Sequence, residues 1–110
     1  MIRIITSEDA SLDLERIFVF LDEYDKDLAK RALEAINEAI SHLLKFPEAF
    51  PIVDDEFRII TVPFGRKGYS IAYIYDSDHQ EVVIYGIKHQ TEEFFPFELS
   101  REDGERQADG

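Results

Sequence analysis

Apolar residues fall along this chain first in alternation, then at helical spacing, then in alternation again. In MIRIIT (1–6), Ile2 and Ile4 share one strand face and Ile5 takes the other. Thr6 or Ser7 can cap the helix that follows, and Glu8 and Asp9 sit in a first turn where the helix dipole favours carboxylates. Leu14, Ile17, Phe18 and Leu21 recur at i, i+3, i+4 and i+7, which predicts a core-facing helix to about Asp22. A second helix is expected from about Lys26 to Phe46, with a broad apolar face that includes Leu28, Ala32, Ile36, Ile40 and Leu43. Pro47 prevents its continuation. Alanines on that face permit close approach, so the two helices read as an antiparallel hairpin.

The stretch PEAFPIVDDE (47–56), with two prolines, is expected to be an irregular connector. Alternation then returns in three runs rich in β-branched and aromatic residues: FRIITVP (57–63), YSIAYIYD (69–76) and EVVIYGIKH (81–89). Connections this short force antiparallel pairing. In the middle run Tyr69, Ile71, Tyr73 and Tyr75 share one face, opposite Ser70, Ala72 and Ile74. Strict alternation puts Lys88 on the face of Val82 and Ile84, and His89 on that of Val83 and Ile87. The GRKG between the first two runs reads as a turn that carries Arg66 and Lys67, its glycines supplying the backbone angles a tight hairpin demands. The order β-α-α-β-β-β predicts an α+β fold, a helical hairpin packed on a mostly antiparallel sheet. Residues 1–91 form its single domain. In the remaining 92–110, FFPFEL (94–99) either closes onto the core or stays exposed as an apolar patch, and SREDGERQADG (100–110) is expected to be disordered.

Charge changes the picture. The 110 residues carry a formal net charge of −12, unevenly spread. Residues 57–91 hold 3 acids against 4 bases, whereas residues 7–50 hold 11 against 5 and residues 92–110 hold 7 against 2. A field of that sign repels phosphate, so direct non-specific nucleic-acid binding is not expected, and 57–91 is the place left for a local basic site. The absence of cysteine removes disulfides and thiol catalysis and fits a cytoplasmic setting. No run has the length and apolarity of a membrane span or a signal peptide, and no membrane association is expected.

Candidate chemistry is sparse. His42, His79 and His89 are scattered, without the i, i+4 partner of a helical metal site, and GRKG lacks the strand–loop–helix setting of a phosphate loop. No metal or cofactor is expected. What remains is Arg58 near the start of one strand, Arg66 and Lys67 in the turn, Tyr69 after it, and Lys88 and His89 at the end of the last strand.

Those same residues carry a resemblance. RIITVPFGRKGYSIAYIYDSDHQEVVIYGIKHQ is similar to the C-terminal sheet of the RelE/ParE family of bacterial type II toxins: an arginine, an apolar strand, PFG, a GY opening the next strand, then a strand ending in a basic residue, His and Gln. The paired helices and their proline-bearing exit match as well, over about residues 1–91. The resemblance implies a growth-inhibiting toxin neutralised by a cognate antitoxin. RelE-like members cut messenger RNA on the ribosome, and ParE-like members are associated with inhibition of DNA gyrase without chemistry of their own. Against the nuclease pattern, the two alternating lysines of the first strand read Arg58 and Ile60 here, and the arginine after GY reads Ser70. The late-strand arginine reads His89, and the tyrosine beyond it reads Phe95. PFGRKGY and IKHQ look more like the ParE side. That makes Arg58, Arg66, Lys67, Tyr69, Lys88 and His89 the expected target- or partner-binding residues. A nuclease would rely on Arg58, Lys88 and His89, and an inactive toxin-like binder is the third alternative. The acidity departs from the family, whose toxins are usually basic.

Overall fold

A computed structural model of the chain describes residues 1–92 together with Phe95. Its elements are β1 (Arg3–Thr6), α1 (Glu8–Asp22), α2 (Lys26–Ser41) with a 3-10 turn at His42–Leu44, β2 (Ile52–Asp54), β3 (Phe57–Phe64), β4 (Lys67–Asp76) and β5 (Glu81–His89). The strands form one sheet in the order β1-β5-β4-β3-β2. β1 runs parallel to β5, and the other pairings are antiparallel. This is the expected α+β arrangement, with the helical hairpin on one face of the sheet.

Local chemistry starts both helices. The Ser7 hydroxyl accepts the Ala10 N–H at 3.1 Å, and the Asp25 carboxylate accepts the N–H groups of Asp27 and Leu28 at 2.8 and 3.3 Å. Between helices and sheet lies a core in which Tyr73, Ile36, Leu43, Ile71, Ile84, Ile87 and Val82 are fully buried. A smaller cluster on the opposite face joins Ala72 and Phe95 to Phe57, Ile59 and Tyr85. The rest of the 94–99 run, and the 100–110 segment expected to be disordered, lie outside the described residues.

Five details differ from the sequence reading. The second helix stops at Ser41 rather than near Phe46. The Ser41 hydroxyl donates to the Glu38 carbonyl at 2.8 Å, and the chain tightens into a 3-10 turn before Pro47 is reached. The buried line of α1 is Ala10, Asp13, Ile17 and Leu21, with Leu14 beside it, so Phe18 is turned outward and a carboxylate takes a core place. The connector contains a fifth strand, β2, which pairs Ile52 with Arg58 and Asp54 with Phe57 and leaves Asp55 in the left-handed region at φ 55°.

The β3–β4 turn holds only Gly65 and Arg66, because Lys67 already pairs with Phe64. Of the two glycines, only Gly65 has positive φ, at 64°. Gly68 is a case of close approach instead, since a Cβ there would lie 2.1 Å from the Val62 carbonyl oxygen.

The last difference has the widest effect. Ala72 pairs with Gly86, but the next residue, Tyr73, pairs with Ile84, so Tyr85 is an extra residue in β5. Such a β-bulge reverses the alternation beyond it. Val82, Ile84 and Ile87 all reach the core, and His89 follows Ile87 onto the helix side. Lys88 is turned to the opposite face, away from Val82 and Ile84, whereas His89 keeps the expected company of Ile87 but not of Val83.

Candidate functional site

The end of the sheet where β4 begins and β5 finishes carries most of the predicted residues. Tyr69 pairs with His89 across the two strands, and their rings meet edge to face at 5.4 Å and 80°. α1 passes above them and contributes Arg16, Ile17 and Phe20. Between helix and sheet is a cleft of about 410 Å³, walled by these three residues with Phe64, Tyr69 and His89 and closed at one side by Thr91 and Glu92.

One wall of the cleft comes from an edge that had to be covered. β1 pairs with β5 only as far as Ile84, which leaves the outer edge of β5 without a neighbouring strand beyond that point. Side chains take the strand's place. The Ser7 hydroxyl donates to the Tyr85 carbonyl at 3.3 Å, and Ile87 donates its N–H to the Asp13 carboxylate at 2.8 Å. Arg16 donates to the Ile87 carbonyl at 3.2 Å, and the His89 N–H is accepted by Glu92 at 3.0 Å. The edge is thereby satisfied and blocked against strand addition.

The same groups set the electrostatics. Arg16 lies 2.8 Å from Glu92 and 3.6 Å from Asp13, so the guanidinium at the cleft mouth is neutralised by two carboxylates. Burial pushes the Asp13 carboxyl above the usual carboxylate range, against the opposing pull of the Ile87 N–H and Arg16. Burial likewise raises the Tyr69 hydroxyl, which remains a neutral phenol at physiological pH. His89 is oriented by its neighbour: Nδ1 accepts the Thr91 N–H at 3.2 Å and lies 2.7 Å from the Thr91 hydroxyl. An amide N–H can only donate, so in the neutral ring the proton sits on Nε2.

The other predicted residues are dispersed. Arg66 and Lys67 are exposed at the turn that borders this end of the sheet, with Lys67 two residues before Tyr69. Arg58 pairs with Tyr73, four strand residues and about 13 Å from the level of Tyr69. Its guanidinium donates to the Phe50 carbonyl at 2.6 Å and the Glu48 carbonyl at 3.3 Å, and the neighbouring Tyr73 hydroxyl donates to the Pro47 carbonyl at 2.8 Å. Together they hold the 47–50 connector against the sheet. Arg58→Ala is expected to cost about 1–2 kcal/mol and to open this connector to limited proteolysis, read as a new cut between α2 and β2. Lys88, on the far face, donates to the Glu92 carbonyl at 2.9 Å and stands 5.3 Å from the centre of the Phe95 ring.

Sequence reasoning missed Arg16 and Glu92, which line the cleft, and Asp13, which holds the strand edge beside it, each hidden in an acid-rich stretch. One signal was available: Asp13 stands three residues after Ala10 and four before Ile17, on the line a core helix reserves for apolar residues. The nuclease-pattern positions are filled by Ile60 in the core, Ser70 opposite Thr61, and Phe95 under Lys88. Among the described residues no group of three or more His, Asp or Glu side chains is arranged to hold a metal ion, and no helix is long and apolar enough to cross a membrane.

Residues 4–94 match the family model described as the ParE toxin of the type II toxin-antitoxin system, parDE. No curated protein matches the chain.

Proposed function

The chain belongs to the ParE toxin family of type II toxin-antitoxin systems, and from that premise we propose that it acts by binding a protein target, DNA gyrase by resemblance, until a cognate antitoxin neutralises it. Membership makes the chain a toxin component with an antitoxin partner. The target and the mode of action are the proposal.

The observation that carries it is the engagement of the basic groups. Cleavage of a phosphodiester needs positive charge preorganised around one reacting centre. Here Arg58 is bound to the Glu48 and Phe50 carbonyls, four strand residues from the level of Tyr69, Lys88 is on the other face of the sheet, and Arg16 is offset by Glu92 and Asp13. The exposed charges left at the Tyr69 end are Arg66 and Lys67, which suit the rim of a surface that meets an acidic protein.

A second reading has its own observation. Tyr69 and His89 share the cleft with Arg16, so a ribosome-dependent endoribonuclease of the RelE type would work from there. Purified protein in a gyrase supercoiling assay, run beside translation with primer-extension mapping of messenger cuts, separates the two. Inhibition of supercoiling without cuts is expected. Codon-phased cuts that vanish in His89→Ala would overturn the gyrase reading. If expression leaves growth untouched and neither assay responds, the chain is an inactive toxin-like binder. Arg66→Glu with Lys67→Glu is expected to leave the melting temperature unchanged, because both side chains are exposed, and to weaken inhibition about tenfold or more through a lower association rate.

A further inference from the structure

The helix α1 is apolar on two sides. Its inner line, Ala10, Ile17 and Leu21, is consumed by the core, yet Leu12, Val19 and Phe20 on the outer side are 55%, 51% and 59% exposed. A single buried stripe is all that packing on the core requires of a helix, so a second apolar face is surplus to the fold. These three residues line a shallow groove along the helix, between Leu12 and Glu23, about 16 Å long at the helical rise. Its rim is acidic. Glu15 and Glu23 border it, α1 itself holds five acids against one base, and that base, Arg16, is already paired with Glu92.

We propose that the outer face of α1 is the docking surface for a basic amphipathic helix of a partner protein. The partner's charge follows from complementarity: apolar anchors meet Leu12, Val19 and Phe20, while lysines or arginines on their flanks meet Glu15 and Glu23. A second copy of this chain does not fit, since it would bring the same acidic rim and another net charge of −12 against the first. The helical form follows from backbone satisfaction. The surface of α1 offers no free N–H or carbonyl ladder, so an extended segment laid on it would bury unpaired amides, whereas a helix brings its own hydrogen bonds. The inference depends on the toxin reading only in naming the antitoxin as the protein that supplies the helix; the antitoxin's arm would then be basic, with the usual sign of the pair reversed.

Two synthetic helical peptides of about 16 residues test it, identical in their leucines at i, i+4, i+7 and i+11 but flanked by lysines in one and glutamates in the other. Fluorescence anisotropy with the full chain is expected to give the lysine peptide about tenfold or more higher affinity, declining with salt. Glu15→Lys with Glu23→Lys is expected to reverse the preference. Leu12→Asp with Phe20→Asp is expected to abolish binding of both peptides, with an unchanged melting curve because both side chains are exposed. Equal affinity for the two peptides, or binding of neither, overturns the proposal. So does a dimer in light scattering that Val19→Glu dissolves, which assigns the face to a second copy. Growth arrest without the peptide preference sinks this inference alone. The preference without growth arrest sinks the toxic activity alone.

Discussion

Gly68→Ala is expected to lower the melting temperature by about 10 °C or more, a loss near 3 kcal/mol. The new methyl would stand 2.1 Å from the Val62 carbonyl oxygen and 3.1 Å from the Phe64 nitrogen, and these are backbone atoms of β3 that cannot swing away. Relief requires β3 and β4 to separate where Pro63 pairs with Gly68. A further bond is at stake there, because the Gly68 carbonyl accepts the Gln90 N–H at 2.9 Å and so ties the end of β5 to the start of β4. Gly65→Ala is the contrast. It has open space around it and suffers only the left-handed backbone at φ 64°, for a cost of about 1 kcal/mol and roughly 4 °C. Thermal melts of the two variants side by side check the pair. Equal losses would show that the turn angles, not the approach of the strands, govern this hairpin.

Asp13→Ala is expected to cost about 2 kcal/mol, because it leaves the Ile87 N–H buried without an acceptor and Arg16 short of one carboxylate. Asp13→Asn keeps an oxygen acceptor and should lose far less. The two also differ with pH. A carboxyl whose folded value is raised binds its proton more tightly in the folded protein, so its contribution to stability is greatest in acid. That contribution falls as pH climbs from the ordinary 3.8 through the raised value. Asp13→Asn lacks this dependence and is expected to gain on the wild type as pH rises through that window. Urea titrations at acid and neutral pH measure the difference. A wild type that instead gains on the variant with rising pH would mean that Arg16 outweighs the burial of the carboxylate.

The elements themselves were legible in the residues. Alternation and helical spacing marked both helices and the three long strands, because burial of one face imposes those periods directly. β2 escaped notice since three residues between a proline and an acidic turn carry too little pattern to separate from a loop. Tyr69 and His89 were reachable as strand-end residues, but their meeting was not. It depends on the extra residue at Tyr85, and a run such as VVIYGIK contains no feature that distinguishes a bulged strand from a regular one. Arg58 was legible as a cation flanked by apolar residues. Its engagement with the Glu48 and Phe50 carbonyls belongs to the path of the connector, which only tertiary packing fixes.

The bulge at Tyr85 bears on how chains of this kind are aligned and redesigned. Positions counted from the start of β5 lose their meaning at that residue: a relative one residue shorter there, matched column by column, would place its lysine beneath the helix and its histidine outside. Equivalence should therefore be counted backwards from the KHQ end of the strand. By the same logic, excising Tyr85 removes the extra residue together with the shift it causes, and is expected to leave Ile87 and His89 on the helix side and Lys88 outside on a regular strand.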